Sequence, residues 1–326
     1  MNELARRREA GVLLLLVLMV GAVSVVNPAF LSSGNLRDVL TQAAPVLLVA
    51  CGLTFVVIMG EIDISVGALM GLCAATLGTL SSSDRQNLPV PVAVALTLLV
   101  GTGVGALNGL LVTRGRVPSL IVTLGMLTLL SGVTELVLNG EWIKNLPPGL
   151  RVWGTGTLAG VPVPVLVAVF VFLACVVLAQ STPLGRRLYA AGGNPHAASL
   201  LGLPVARLKL FAFTLTGFLT SVATLVSVPQ LSVIESGVGK GFELLAVTCV
   251  VVGGTFIRGG KGTLWGTLLA TLLLVTVRTV LIFLRLGESA TYWERAIQGA
   301  FILLAVLLDH VAAGRGRSAA PAKATT

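Results

Sequence analysis

Charge is the first thing missing. Of 326 residues only 11% are Asp, Glu, Lys or Arg, where a soluble domain carries about 25%. So little charge cannot coat a water-facing surface. Histidine is nearly absent, with His196 and His310 far apart in the chain. H-E-x-x-H, G-x-S-x-G and clustered His/Cys patterns are missing, so no converging set of nucleophile, acid, base or metal ligands presents itself. The four cysteines, Cys51, Cys73, Cys175 and Cys249, lie within apolar runs without C-x-x-C spacing. They read as small buried hydrophobes rather than metal or redox groups. A phosphate loop is lacking as well. "GGTFIRGGKGT" at 253–263 comes near, but Thr255 stands where G-x-x-x-x-G-K-[ST] requires Gly, and Gly262 follows Lys261. No catalytic residue, metal or cofactor is expected.

What the chain has instead is apolar surface. Hydrophobic residues make up 55% and the mean hydropathy is +0.98. The apolar residues come in blocks near the ~20 residues a membrane-spanning helix needs. Alternating ~10-residue segments, the mark of a membrane β-barrel, are absent. The fold class is therefore all-α: a polytopic membrane protein of about ten transmembrane helices, some interrupted by Gly, with both termini cytoplasmic. The expected segments are 10–27, 39–59, 65–80, 90–112, 118–138, 162–179, 209–229, 243–257, 264–284 and 295–311. They form a transmembrane domain over 1–311, followed by a short polar cytoplasmic tail over 312–326. The start of the chain mimics a signal peptide but lacks an A-x-A cleavage site, and it reads as a retained first span.

Basic residues test that map. Net charge is +9, which on a soluble domain would suggest nucleic acid. Here the cations sit in short loops, where membrane proteins concentrate them on the cytoplasmic side. With the N-terminus inside, the inner loops hold Arg6, Arg7 and Arg8; Arg114 and Arg116; Arg186, Arg187, Arg207 and Lys209; Arg258 and Lys261; and Arg315, Arg317 and Lys323. Dropping one span would invert every cluster beyond it, so the pattern supports an even number. The expected surroundings are a lipid bilayer and no nucleic acid.

Polar residues inside this apolar background are the candidate functional groups. "VVIMGEIDISVGALMGL" at 56–72 places Glu61, Asp63 and Ser65 in a break between segments two and three. An extended break would bring the three together, because side chains there repeat every two residues. Asn108 and Glu243 also fall within spans, where such groups face a bundle interior, a cavity or one another. Glu135 falls near the outer end of its span. A weak echo of the break recurs as "VVVGGTFIRGGKGTLWGTL" at 250–268, with G-x-x-x-G in both copies (Gly67 and Gly71; Gly262 and Gly266). Paired broken helices point to a transport site; the bland reading is helix packing through glycine. The cytoplasmic stretch "STPLGRRLYAAGGNPHAASLLGLPVARLK" predicts two short helices, the second with Pro195 in its first turn and "GLP" at its end. Such a helix is suited to dock in a partner's groove.

Several stretches together resemble one family. "GEIDISVGALMGL" (60–72), "GALNGLLVTRGRVPSLIVTLGML" (105–127), "TPLGRRLYAAGGNPHAASLLGLPV" (182–205), "GKGFELLAVTCVVVGGTFIRGGKGTLWGTLL" (239–269) and "GAFILLAVLLD" (299–309) are similar to permease subunits of bacterial ABC importers for monosaccharides, of the ribose, xylose, galactose, rhamnose and autoinducer type. The resemblance implies a multi-pass permease of the bacterial inner membrane that moves a sugar and has no enzyme activity of its own. It also implies a separate cytoplasmic ABC ATPase, a periplasmic or lipid-anchored sugar-binding protein, and a second permease copy or a homologous permease. By the same resemblance the loop carrying Arg186, Arg187, Gly193, Asn194, Pro195, His196 and Gly202 contacts the ATPase. The path or helix-break candidates remain Glu61, Asp63, Ser65, Asn108 and Glu243. One departure is Leu245, where the family often has an acidic residue. An ion-coupled secondary sugar transporter, using the carboxylates, is the main alternative; a membrane enzyme acting on a lipid-linked substrate is the other.

Overall fold

The computed structural model describes residues 3–284 and 290–317. Its elements are α1 (Glu3–Val26), a 3-10 turn (Pro28–Leu31), α2 (Ser33–Ile58), α3 (Val66–Ser81), α4 (Val90–Thr113), α5 (Ser119–Leu138), α6 (Pro148–Thr155), β1 (Thr157–Leu158), β2 (Val161–Pro162), α7 (Val163–Ser181), α8 (Pro183–Gly193), α9 (Pro195–Leu200), α10 (Val205–Ser227), a 3-10 turn (Val228–Gln230), α11 (Phe242–Val252), α12 (Leu264–Phe283) and α13 (Ala290–Arg317). Each of the ten apolar runs has one helix as its body, though 243–257 runs past the end of α11 into the glycine break that follows. Seven helices are long and apolar enough to cross a membrane by length and composition, and α3 and α11 are shorter apolar helices. The protein is an all-α polytopic membrane protein. In the 312–326 stretch, α13 continues to Arg317 and residues 318–326 lie outside the described residues, as does Arg285.

From Ala43 onward helix α2 is apolar all round, and such a helix belongs in a core. Its apolar window is 89% buried, against 11% for that of α1. It packs on α10, α12, α7 and α11. The outward faces of α1, α4, α5 and α7 carry exposed Leu and Val, including Leu14, Leu18, Leu99, Leu129 and Val177, a surface suited to lipid.

Close crossing of α4 and α10 rests on glycine. Gly101, Gly105 and Gly109 recur every fourth residue on one face of α4. They meet Ser221, Gly217 and Phe213 of α10 nearly backbone to backbone, as small-xxx-small faces allow. Buried hydroxyls are satisfied locally: Thr97, Thr216, Thr220 and Thr224 donate to the carbonyl four residues earlier. Thr54 of α2 and Thr267 of α12 also share a hydrogen bond of 2.9 Å.

The loops gather at two ends. At one, Ser82 donates to Lys144 O (2.7 Å), Arg85 pairs with Glu141 (2.7 Å), and Asn145 donates to Asp84 (2.8 Å). There Ile143 and Ile234 exchange backbone bonds of 3.0 and 2.9 Å. At the other, Gly260 N donates to Ile58 O (2.8 Å), Ile62 N to Ser119 Oγ (3.2 Å) and Tyr189 Oη to Gly262 O (3.0 Å). Lys209 pairs with Glu61 there, and Thr263 donates to Glu9. Loops that the charge pattern assigns to one side thus meet loops of that same side. The 139–162 connection also holds more structure than a breaker: α6 begins on Pro148, and β1 and β2 form a hairpin whose turn residues Ala159 and Gly160 have φ of 50° and 81°.

Candidate functional site

Two helices end in the same cap. In α2, Glu61 N donates to Val56 O and Gly60 N to Val57 O; in α11, Thr255 N donates to Val250 O and Gly254 N to Val251 O. Both are Schellman motifs, with the left-handed residue at Gly60 (φ 74°) and Gly254 (φ 93°). The echo seen in the sequence is therefore an echo of backbone geometry: apolar helix, glycine cap, irregular break, new helix. The two breaks touch, because Gly60 lies against Arg258 and Ile58 O accepts from Gly260 N.

Within the first break the chain is non-helical over 61–64. Asp63 Oδ1 accepts from Ser65 N (2.9 Å) and from Ser65 Oγ (2.6 Å), and Asn108 Nδ2 of α4 donates to Ser65 Oγ (2.9 Å). All three residues are buried. Asp63 thereby occupies freed donors at the start of α3, and Asn108 ties that start to α4. Glu61 does not join them. Its carboxylate pairs with Lys209 near the start of α10, so the expected trio is a pair plus a separate ion pair. Lys209 enters the sequence reading only as loop charge; nothing local marks it as the partner of a carboxylate 148 residues away.

Glu243 opens α11 and is half-buried. Its carboxylate lies over Gly67 of α3 and accepts from Gly241 N (3.2 Å). The chain ahead of it runs along the glycine face of α3. A β-carbon on Gly78 would stand 2.6 Å from Ile234 Cδ1, and one on Gly71 would stand 2.8 Å from Val238 O. Gly67 and Gly71 therefore admit an irregular chain rather than a second helix. Such backbone is tolerated at membrane depth only where protein or a water-filled cavity surrounds it. Glu135 is exposed near the end of α5.

The α8–α9 loop is built by its caps. Thr182 Oγ1 accepts from Gly185 N (3.1 Å) to start α8, and Asn194 Oδ1 accepts from Ala197 N (2.9 Å) to start α9. Asn194 N also closes α8 on Ala190 O (3.3 Å), and Gly202 (φ 78°) ends α9 in a third Schellman cap. Arg186, Arg187, Gly193, Asn194, Pro195 and His196 are exposed, beside Leu200 and Leu201 at 76% and 82% exposure. The opposite face is docked. Gly192 is buried with no room for a side chain between Ile58 O and Gly260 N. Tyr189 donates to Gly262 O, and burial pushes its hydroxyl up to about 12. The loop is thus keyed into the point where both broken helices end. Gly192, Tyr189 and Lys209 were not among the expected site residues, because each is defined by a contact with a distant segment.

Among the described residues no group of His, Cys, Asp and Glu is placed to hold a metal ion. The family described as "Branched-chain amino acid transport system / permease component" matches residues 35–306, and the chain belongs to it. It is similar to the ribose import permease protein RbsC of Escherichia coli (strain K12), 37% identical over 302 residues, covering 91% of this chain and 92% of that one. RbsC of Bacillus subtilis (strain 168) is 36% identical over 304 residues, 93% of this chain and 92% of its own. The autoinducer 2 import system permease protein LsrC of Enterobacter sp. (strain 638) is 34% identical over 309 residues, 95% of this chain and 88% of its own. No solved structure matches the chain.

Proposed function

We propose that this chain is the permease subunit of an ATP-driven importer that carries a monosaccharide across the bacterial inner membrane. Its partners are a cytoplasmic ABC ATPase, a periplasmic or lipid-anchored sugar-binding protein, and a second permease copy or homologue. Similarity to the ribose and autoinducer-2 permeases supports the substrate class. The observation that carries the mechanism is the seat of α8–α9. Its exposed face presents Leu200, Leu201 and the cations Arg186 and Arg187, while Gly192 is wedged between the two breaks. A partner that moves this loop moves the ends of α2 and α11 with it. Asp63, Ser65 and Asn108 hold the first break in shape, Glu61 and Lys209 tie it to α10, and Glu243 faces the path. The chain supplies a wall and a moving joint, and ATP hydrolysis lies in the ATPase.

Reconstitution in proteoliposomes tests this. With binding protein and ATPase present, D-ribose, D-xylose, D-galactose or L-rhamnose is taken up only when ATP is supplied. Uptake that is equal without the ATPase, or that collapses when the proton gradient is dissipated while ATP persists, contradicts the proposal and favours an ion-coupled transporter.

A further inference from the structure

The geometry points to a sugar-binding station in a cleft between α3, α5 and the 236–243 segment, an assignment that rests on the sugar-import reading above. The cleft encloses about 80 Å³ and is lined by Leu127, Ser131, Thr134, Ser236, Lys240 and Glu243. Its floor, Gly71 and Thr134, is buried, and Ser236 and Lys240 at its rim are exposed. The 231–241 chain, held against the glycine face of α3, forms one wall.

The donors and acceptors suit a neutral polyol. Ser131 and Thr134 spend their hydroxyl hydrogens on Leu127 O (2.8 Å) and Leu130 O (2.7 Å). Their lone pairs remain to accept from a ligand. Glu243 is a further acceptor and Lys240 a donor, and no ion pair among the described residues joins these two. Sugar hydroxyls both donate and accept, so one ring edge satisfies all four groups without bringing net charge. A cavity of about 150 Å³ holds a benzene-sized ring, so the smaller cleft grips an edge and leaves the rest of the ring free. The residues that line it offer no aromatic face to stack on. Binding is therefore weak, as passage requires: strong enough to enter, loose enough to leave.

Cysteine protection in the complete reconstituted complex tests the assignment. The native cysteines are all buried, so Ser131→Cys is read over low background with a charged, membrane-impermeant thiol reagent. Ser236→Cys at the rim is a second reporter should the first variant fold poorly. At ten times its half-saturating concentration, D-ribose or one of D-xylose, D-galactose and L-rhamnose slows labelling about tenfold. Adding Thr134→Val weakens binding about tenfold, so at the same sugar concentration labelling is slowed only about twofold. Absence of labelling at both positions, or labelling unaffected by all four sugars while the wild-type complex imports one of them, overturns the station and leaves the sugar-import reading standing. Protection by L-leucine and by no sugar overturns the ligand class. A wild-type complex that imports none of the sugars defeats the sugar reading itself, and this assignment falls with it.

Discussion

Asp63 is 3% exposed, an unusual place for a carboxylate in an apolar chain. Its two bonds from Ser65 explain the placement: they satisfy a backbone donor and a hydroxyl that the break would otherwise leave buried and unpaired. Removing a partner from buried donors costs about 1–3 kcal/mol. Asp63→Ala is therefore expected to lower stability by about 2 kcal/mol, seen as a lower unfolding temperature of the purified protein. Asp63→Asn, which keeps an acceptor oxygen, is expected to lose less, and equal stability of all three proteins would count against this role. Part of this was legible. The period-two spacing of Asp63 and Ser65 foretells their meeting, whereas the turning of Glu61 toward Lys209 depends on where α10 begins in space.

At the scale of elements, ten apolar runs, the break at 60–65 and both short helices of the α8–α9 loop could be read from hydropathy, glycine and capping residues. The 231–241 segment could not. It has neither helical nor strand periodicity, because an irregular chain of turns lying along one helix face imposes none. Gly67 and Gly71 are therefore open to a helix-packing reading in the sequence. A side chain at Gly71 meets Val238 O, so Gly71→Val is expected to cost about 1–3 kcal/mol and to detach the segment that carries Lys240 and Glu243. Gly21→Ala on α1 faces open space and should not destabilise the protein, since Ala within a helix is favoured over Gly by about 0.5–1 kcal/mol. Thermal unfolding of the two variants side by side checks the contrast. Similar losses in both would remove the argument that α3 is shaped for this segment.

For the whole molecule, the charge pattern and the contact pattern describe the same object from two directions. Loops grouped by their basic residues meet at one end, and loops without such clusters meet at the other. Between them α2 forms the buried centre, and its end is the place where the α8–α9 loop, the second break and α10 converge. The sequence marks this loop only as a candidate docking element and does not show its seat, since Gly192, Ile58 and Gly260 come from three separate stretches. The proposed coupling runs through that seat: force on α9 reaches both breaks through backbone contact, without a side chain between.

Substitution at the seat measures this directly. A methyl group at Gly192 would overlap Ile58 O, so Gly192→Ala must shift the loop off the two helix ends while leaving its outer face intact. In the reconstituted complex, sugar imported per ATP hydrolysed should fall at least ~tenfold, equivalent to ~1.4 kcal/mol of lost coupling, with the variant inserted and hydrolysis still running. An unchanged ratio in a folded, inserted Gly192→Ala permease would contradict the account.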